Sequence, residues 1–266
     1  MSVFQPISLI QKTQGNAGVQ RAKKDIIKAT NQASIAIREK YDDTGTMLGQ
    51  GAFGQVFAFT ERSTGRPVAV KIMRKELLTK SQQSIVRDEI GILSLLDHAN
   101  VVKYLESYED PRYMYIIMES MSESIELQEL FEMRKEVQMG DKELQAKPLF
   151  SEEETRHIMW MLVSACNHIH KNGVTHRDMK PQNVLFNVKE NTLKVIDFGL
   201  SKSKGENKHS GFLVGTPNFM SPEIYERDGD DHAYCPPCDM FAVGVIMYML
   251  VSGILPFSGT HEEVKD

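Results

Sequence analysis

Residues 176–183 read His-Arg-Asp-Met-Lys-Pro-Gln-Asn, and fourteen positions after Asn183 the chain reads Asp197-Phe198-Gly199. These two blocks hold the residue types that phosphoryl transfer needs. One carboxylate must orient an attacking hydroxyl and take its proton, and a separate set of oxygen ligands must hold Mg²⁺. Asp178 suits the first task, and Asn183 and Asp197 suit the second. Either block alone is a weak signal; their order and spacing make it strong.

Upstream, Gly49-Gln50-Gly51-Ala52-Phe53-Gly54-Gln55-Val56 lies between two strand-like runs. Glycines opening a helix would suggest a dinucleotide site, whereas glycines in a hairpin let backbone N–H groups fold over phosphates without side-chain clash. On the next strand-like run, Val68-Ala69-Val70-Lys71 supplies an ammonium that can neutralise phosphates. Such a cation needs an anionic partner to stay oriented in a partly dry cleft, and Glu89, eighteen residues on, is the candidate.

From Tyr41 the pattern is of short β-like runs, Thr44–Gly49, Gln55–Thr60 and Val68–Met73, separated by Gly, Ser, Thr and Pro as in an antiparallel meander. A helix is predicted over Ser84–Leu96, with Ile85, Glu89, Leu93 and Leu96 on one face. Two further strand-like runs follow, Val101–Ser107 and Tyr113–Glu119. Ser151-Glu152-Glu153-Glu154 carries a capping-box pattern that opens a long helix ending near Lys171-Asn172-Gly173. Sheet first and helices later predicts an α+β fold of two unequal lobes. The divisions are a basic N-terminal extension over 1–40, a small antiparallel-sheet lobe with its hinge over 41–121, and a mainly helical lobe over 122–266. Within the extension, Ile26, Ile27, Ala33, Ile35 and Ile37 have loose helical spacing, so it reads equally as a docked helix or a basic tail.

The chain has 266 residues, 41% of them apolar, enough for a sizeable core. Its net charge of −5 is uneven: residues 1–40 hold seven Lys or Arg against Asp25 and Glu39, for +5, which leaves −10 on the rest. An acidic body with a short basic arm argues against nucleic acid as a main ligand. Cys166, Cys235 and Cys238 make no disulfide framework, which points to a reducing, cytoplasmic compartment. Met240–Phe257 is mostly apolar but is broken by Ser252-Gly253 and Pro256, too short to span a bilayer and readable as a buried core helix. Cys235-Pro236-Pro237-Cys238 has redox spacing without the strand–helix context that a redox motif needs.

From about Tyr41 onward the chain resembles eukaryotic protein kinases of the Ser/Thr branch, and among these most resembles the calcium-dependent and calmodulin-regulated group. Beyond the blocks above, the resemblance rests on Leu96–Val102, Ser107–Asp110, Asp197–Lys202, Gly215-Thr216-Pro217, Ser221-Pro222-Glu223 and Gly244–Phe257. It implies ATP and Mg²⁺ as cofactors and Ser/Thr-bearing proteins as substrates. Asp178 would be the catalytic base, Lys180 the charge steadying the transferred group, Asn183 and Asp197 the metal ligands, and Lys71 and Glu89 the activating ion pair. Gly49, Gln50, Gly51, Ala52, Phe53 and Gly54 would cover the phosphates, and Val56, Ala69 and Leu185 would sandwich the purine. Met118 would be the gatekeeper, with Glu119 to Met121 reading adenine through the hinge backbone. Thr216 is expected to bond Asp178 and Lys180, and Asp239 to anchor the catalytic loop. A phosphate on Ser201, Ser203 or Ser210 is expected to pair with Arg177, or Glu206 to supply a standing carboxylate instead. A nucleotide-binding pseudokinase or inactive scaffold fragment is the alternative, although Lys71, Asp178 and Asp197 are all present.

Several positions depart from the pattern. Gln182 replaces a carboxylate that kinases preferring basic peptides often carry, forfeiting a charge-assisted bond to a substrate Arg. Ser122–Phe150 is long and highly charged, with Glu126 or Glu129 the candidate for a ribose or substrate contact. Asp228-Gly229-Asp230-Asp231 lacks the sixth-position glycine of a calcium loop, so calcium control would lie on a sensor segment or partner outside this chain. The chain stops before helices that the family places after Pro256-Phe257, so Glu223 is expected to lack its partner Arg and the 266 residues to show weak activity.

Overall fold

The computed structural model describes residues 35–51, 53–203, 215–225 and 236–257. Ile26, Ile27, Ala33, Ala52, Glu206, Ser210, the 228–231 stretch and Cys235 lie outside the described residues. The chain divides into two compact units. One comprises residues up to Ile90 together with Tyr104–Ser122, and the other Gly91–Lys103 together with the chain from Glu123. The division is therefore not one cut between 121 and 122.

Among the described residues the first unit holds a short helix α1 (Ile35–Lys40), then β1 (Tyr41–Gln50), β2 (Gln55–Glu61), β3 (Pro67–Arg74), most of α2 (Lys80–Leu95), β4 (Tyr104–Glu109) and β5 (Tyr113–Glu119). The strands form one antiparallel sheet in the order β1-β2-β3-β5-β4. Because successive strand side chains alternate faces, Val68, Val70 and Ile72 enter one apolar cluster while Ala69, Lys71 and Met73 share the opposite face. That cluster also takes Phe57, Phe59, Tyr115 and Ile117, and it includes Ile37 and Tyr41. Ile37 is 1% exposed. At least the last turn of the extension is thus docked, with the hydroxyl of Tyr41 donating to Glu106 and Lys40 Nζ 2.8 Å from the same carboxylate.

Helix α2 begins four residues before the predicted Ser84, because Thr79 and Gln82 cap it reciprocally: Thr79 N donates to Gln82 Oε1 at 2.8 Å and Gln82 N to Thr79 Oγ1 at 3.2 Å. Its buried face is Val86, Glu89, Ile92 and Leu93. Ile85, expected on that face, is exposed, one position out of phase with the stripe.

β4 starts at Tyr104, not at Val101 as the apolar run suggested. Val101 instead bridges Val195 in parallel, Val102 N donates to Val195 O at 3.0 Å, and Val195 N donates to Asn100 O at 2.9 Å. Those bonds tie 91–103 to the second unit.

The second unit holds β6 (Ile125–Glu126), α3 (Leu127–Gly140), α4 (Glu152–Lys171), β7 (Val174–Thr175), β8 (Val184–Asn187), β9 (Thr192–Val195), β10 (Lys202–Ser203), α5 (Pro222–Tyr225) and α6 (Pro236–Ser252). Two small sheets, β6-β8-β9 and β10-β7, frame its loops. Ser151 and Glu154 complete the capping box of α4, which buries Ile158, Met161, Leu162, Ala165, Cys166 and Ile169 and packs on α6. The charged Ser122–Phe150 stretch is largely helical. Leu127, Leu130 and Phe131 seat α3, and Arg134 folds the far end back by stacking on Phe150 at 4.3 Å and pairing with Glu154 at 2.8 Å. Helix α6 is only half a core helix: Ala242, Val243, Ile246 and Leu250 are buried, while Met247, Tyr248 and Val251 are exposed. Among the described residues no helix is long and apolar enough to cross a membrane.

Candidate active site

In the first unit the glycine turn joins β1 to β2, where Gly51 N donates to Gly54 O at 2.8 Å. A Cβ on Gly54 would stand 2.4 Å from Ile72 O and 2.6 Å from Met73 Cγ, so only glycine admits this approach of the turn to β3. Gln50 ends β1, Phe53 lies within the turn, and Gly49 faces open space. Lys71 lies beneath the turn: its Cε is 3.9 Å from where a Cβ of Gly51 would be. The β2–β3 register sets Val56 opposite Lys71, and the β3–β5 register sets Ala69 opposite Met118 and Val68 opposite Glu119. Met121 follows the end of β5.

Lys71 Nζ donates to Glu89 Oε1 at 2.6 Å, with both side chains buried. Burying two charges is costly unless they are paired at good geometry, so the short bond fixes the ammonium where the strand places it. Glu89 Oε2 is buried without a hydrogen-bond partner among the described residues. Helix α2 thus carries a carboxylate at a core-facing position solely matched to β3.

In the second unit the loop 176–183 is held from below by Asp239, 2% exposed near the start of α6. Its carboxylate accepts His176 N at 2.8 Å, Arg177 N at 2.8 Å and the ring of His170 at 2.8 Å. His170 was not singled out in the sequence; a histidine in the last turn of the helix preceding the loop is its only mark. His176 is wholly buried, with Nε2 against Ile196 O at 3.1 Å and Nδ1 against Asp178 N at 3.4 Å. The Nε2–H tautomer satisfies both neighbours.

Asp178 lies at the centre of the working groups. Lys180 Nζ is 2.6 Å from its Oδ2, Asn183 Nδ2 donates to the same oxygen at 3.1 Å, and Thr216 Oγ1 donates to Oδ1 at 3.1 Å. Lys180 also donates to Thr216 Oγ1 at 3.0 Å. Gly215 adopts φ +123°, and a Cβ there would meet Arg177 O at 3.1 Å, so this glycine lets Thr216 reach the loop. Asn183 Nδ2 also donates to Asp178 O at 2.7 Å, and because both its partners are acceptors, the amide is oriented with Oδ1 turned away. Asp197, at φ +62°, accepts Gly199 N at 3.3 Å, and Phe198 is buried with its ring edge on His176 at 5.0 Å. Asn183 and Asp197, both in the second unit, offer only oxygen donors to a metal, Oδ1 of one and the carboxylate of the other, which fits a hard cation such as Mg²⁺ and would not suit a soft one. Leu185 is on β8, opposite Glu126 of β6, and Glu129 is in the first turn of α3.

Glu223 is not left without a partner, because Cys238 Sγ approaches its Oε1 at 3.5 Å. The thiols themselves are not reactive in kind: Cys166 and Cys238 are buried, and burial, helped by the Asp239 charge, pushes the Cys166 thiol up to about 12.

The sequence profile of the protein kinase domain matches residues 43–266. The chain is 33% identical over 236 residues to serine/threonine-protein kinase 33 of Mus musculus, a match covering 85% of this chain and 44% of that protein. It is 36% identical over 247 residues to calcium-dependent protein kinase 10 of Arabidopsis thaliana, covering 91% and 41% respectively. Calcium-dependent protein kinase 4 of Plasmodium berghei is 32% identical over 235 residues, covering 86% and 40%. The chain spans less than half the length of each of these relatives.

Proposed function

The chain belongs to the protein kinase domain family, and on that premise we propose that it transfers the γ-phosphoryl group of ATP to Ser or Thr hydroxyls of proteins, with Mg²⁺. The observation that carries this reading is the pairing of Asp178 Oδ2 with Lys180 Nζ at 2.6 Å and with Asn183 Nδ2 at 3.1 Å. Asp178 orients the incoming hydroxyl and takes its proton as the bond from that oxygen to phosphorus forms and the bond to the ADP leaving group breaks. Lys180 faces the charge on the phosphoryl oxygens, and Thr216 Oγ1 holds both Asp178 and Lys180 in register. Lys71, fixed by Glu89, neutralises the non-transferred phosphates beneath the glycine turn. Asn183 and Asp197 would hold Mg²⁺, which supplies charge neutralisation at the phosphate oxygens when bound.

Gln182 in place of a carboxylate supports substrates that are not selected for arginine before the acceptor. The similarity to calcium-dependent protein kinases supports control by a calcium sensor on a segment or partner outside these residues. The cysteine content supports a reducing compartment such as the cytoplasm.

The test is Mg²⁺-dependent transfer from labelled ATP to a degenerate Ser/Thr peptide array, with Asp178→Asn as control. The variant is expected to lose at least about 100-fold in rate. ATP binding with no peptide labelled by the wild-type chain would replace this reading with that of a nucleotide-binding scaffold.

A further inference from the structure

We propose that Glu109 is a positioning residue that keeps the Lys71–Glu89 pair closed, an inference that rests on the kinase reading of that pair. Glu109 is the last residue of β4 and takes no part in the groups around Asp178. Its carboxylate gathers two cations. Lys75 Nζ donates to Oε1 at 2.7 Å, and Arg87 spans both oxygens, Nη2 to Oε1 at 2.7 Å and Nε to Oε2 at 3.3 Å.

The origins of those cations give the contact its meaning. Lys75 follows directly on β3, four residues past Lys71, and Arg87 is on α2, two residues before Glu89. One carboxylate therefore holds the two elements that carry the ion pair, at a second point away from the pair itself. Two points fix both the height and the rotation of α2 against β3, where the Lys71–Glu89 bond alone fixes a single distance. The anchor is itself braced, since Lys75 Nζ also donates to Asp110 O at 3.0 Å, and Asp110 Oδ1 caps the β4–β5 turn by accepting Arg112 N and Tyr113 N, each at 2.7 Å.

Removing the charge of Glu109 acts twice. It releases Arg87 and Lys75, and it leaves two cations that had shared one oxygen facing each other, which favours α2 moving away. The Arg87–Glu109 contact is half-exposed and screened by solvent, so the effect is a shift in population and not collapse of the unit. The Arg87 and Lys75 hydrogen bonds hold the Glu109 carboxyl down at about 2, so the contact stays ionised at neutral pH.

The experiment compares the full chain with Glu109→Gln, Arg87→Gln and the double variant, by amide hydrogen exchange and by peptide phosphorylation. Exchange of amides 84–89 is expected to quicken about fivefold in each single variant, with β5 amides unchanged and the double variant no worse than Glu109→Gln. kcat is expected to fall about fivefold with peptide KM kept. Unchanged exchange in α2, or an equal rise in α2 and β5, overturns the proposal. If the wild-type chain labels no peptide, the kinase reading fails, and the exchange data still decide whether Glu109 holds α2.

Discussion

Asp239 accepts the backbone N–H of Arg177 at 2.8 Å although Arg177 is held at φ +73°, a left-handed conformation that a long side chain rarely adopts. The strain and the bond belong together. A backbone turned that way presents two successive amides, those of His176 and Arg177, to one carboxylate.

Asp239→Asn removes an acceptor from this arrangement and sets an amide N–H₂ against backbone donors. A loss of roughly 2–4 kcal/mol in unfolding free energy is expected, together with a fall in kcat that exceeds any change in ATP KM. Urea unfolding and steady-state kinetics on the same sample measure both. Retained stability with normal kcat would mean that α6 does not hold the loop.

The glycines of the 49–54 turn are not equivalent. Gly54→Ala drives a Cβ to within 2.4 Å of Ile72 O and is expected to cost about 1–3 kcal/mol, whereas Gly49→Ala meets open space and should be close to neutral in stability. Thermal melting of the two variants side by side distinguishes them; equal losses would contradict the packing of the turn on β3.

Glu154 supplies a pH dependence. Burial pushes its carboxyl up, but the hydrogen bond from Arg134, the Ser151 backbone and hydroxyl contacts and the Arg134 charge together outweigh it and hold it below the ordinary value. A lowered folded-state value means that its contribution is complete above the unfolded carboxyl range, near pH 4.3, and is lost as pH falls through the folded value. The stability gap between wild type and Glu154→Gln should therefore be constant from about pH 7 to 5 and close below that. Denaturant melts across the range would show it, and a gap that widened on acidification would reverse the sign. Ser151→Ala at the other end of the same box should cost about 1 kcal/mol.

Cys166 is expected to resist alkylation at pH 8 in the folded chain and to react once denaturant unfolds α4, because its thiol is buried and pushed up to about 12. Mass spectrometry of iodoacetamide-treated protein reads this directly. Rapid modification under native conditions would place the thiol nearer the surface than the α4–α6 packing allows.

Much of this architecture was legible because several physical demands coincide on single residues. Val68–Met73 is a short apolar run broken only by Lys71 and preceded by the turn residues Ser63-Thr64-Gly65-Arg66-Pro67, which is how β3 read as a strand. Ser151 and Glu154 read as a helix start because their reciprocal bonds satisfy two otherwise orphaned amides. Helix α3 did not read clearly, because its apolar stripe, Leu127, Leu130 and Phe131, covers little more than one turn and its remainder is held by Arg134 reaching to Phe150 and Glu154, which are remote in sequence. Val101–Lys103 reads as strand from its β-branched residues, but Val102 N donates to Val195 O of β9 and Val195 N donates to Asn100 O, so the stretch pairs within the second unit and not with β5. Ile85 misled for a local reason, since it is as apolar as Val86 and only packing chooses between them. The Glu109 contact was invisible because it joins three charged residues from three elements, each unremarkable on its own surface.

Ile37 carries a last consequence. The family profile begins at residue 43, yet the apolar cluster of the sheet includes Ile37 and Tyr41, and Lys40 is tied to Glu106. A gene fragment cut to the recognisable domain would remove Ile37 and Tyr41 from the cluster that holds Phe57, Phe59 and Tyr115, and would forfeit about 2 kcal/mol for Ile37 alone. The inheritable pattern and the foldable object have different edges in this protein, and the boundary for expression, crystallisation or domain grafting belongs upstream of Ile35.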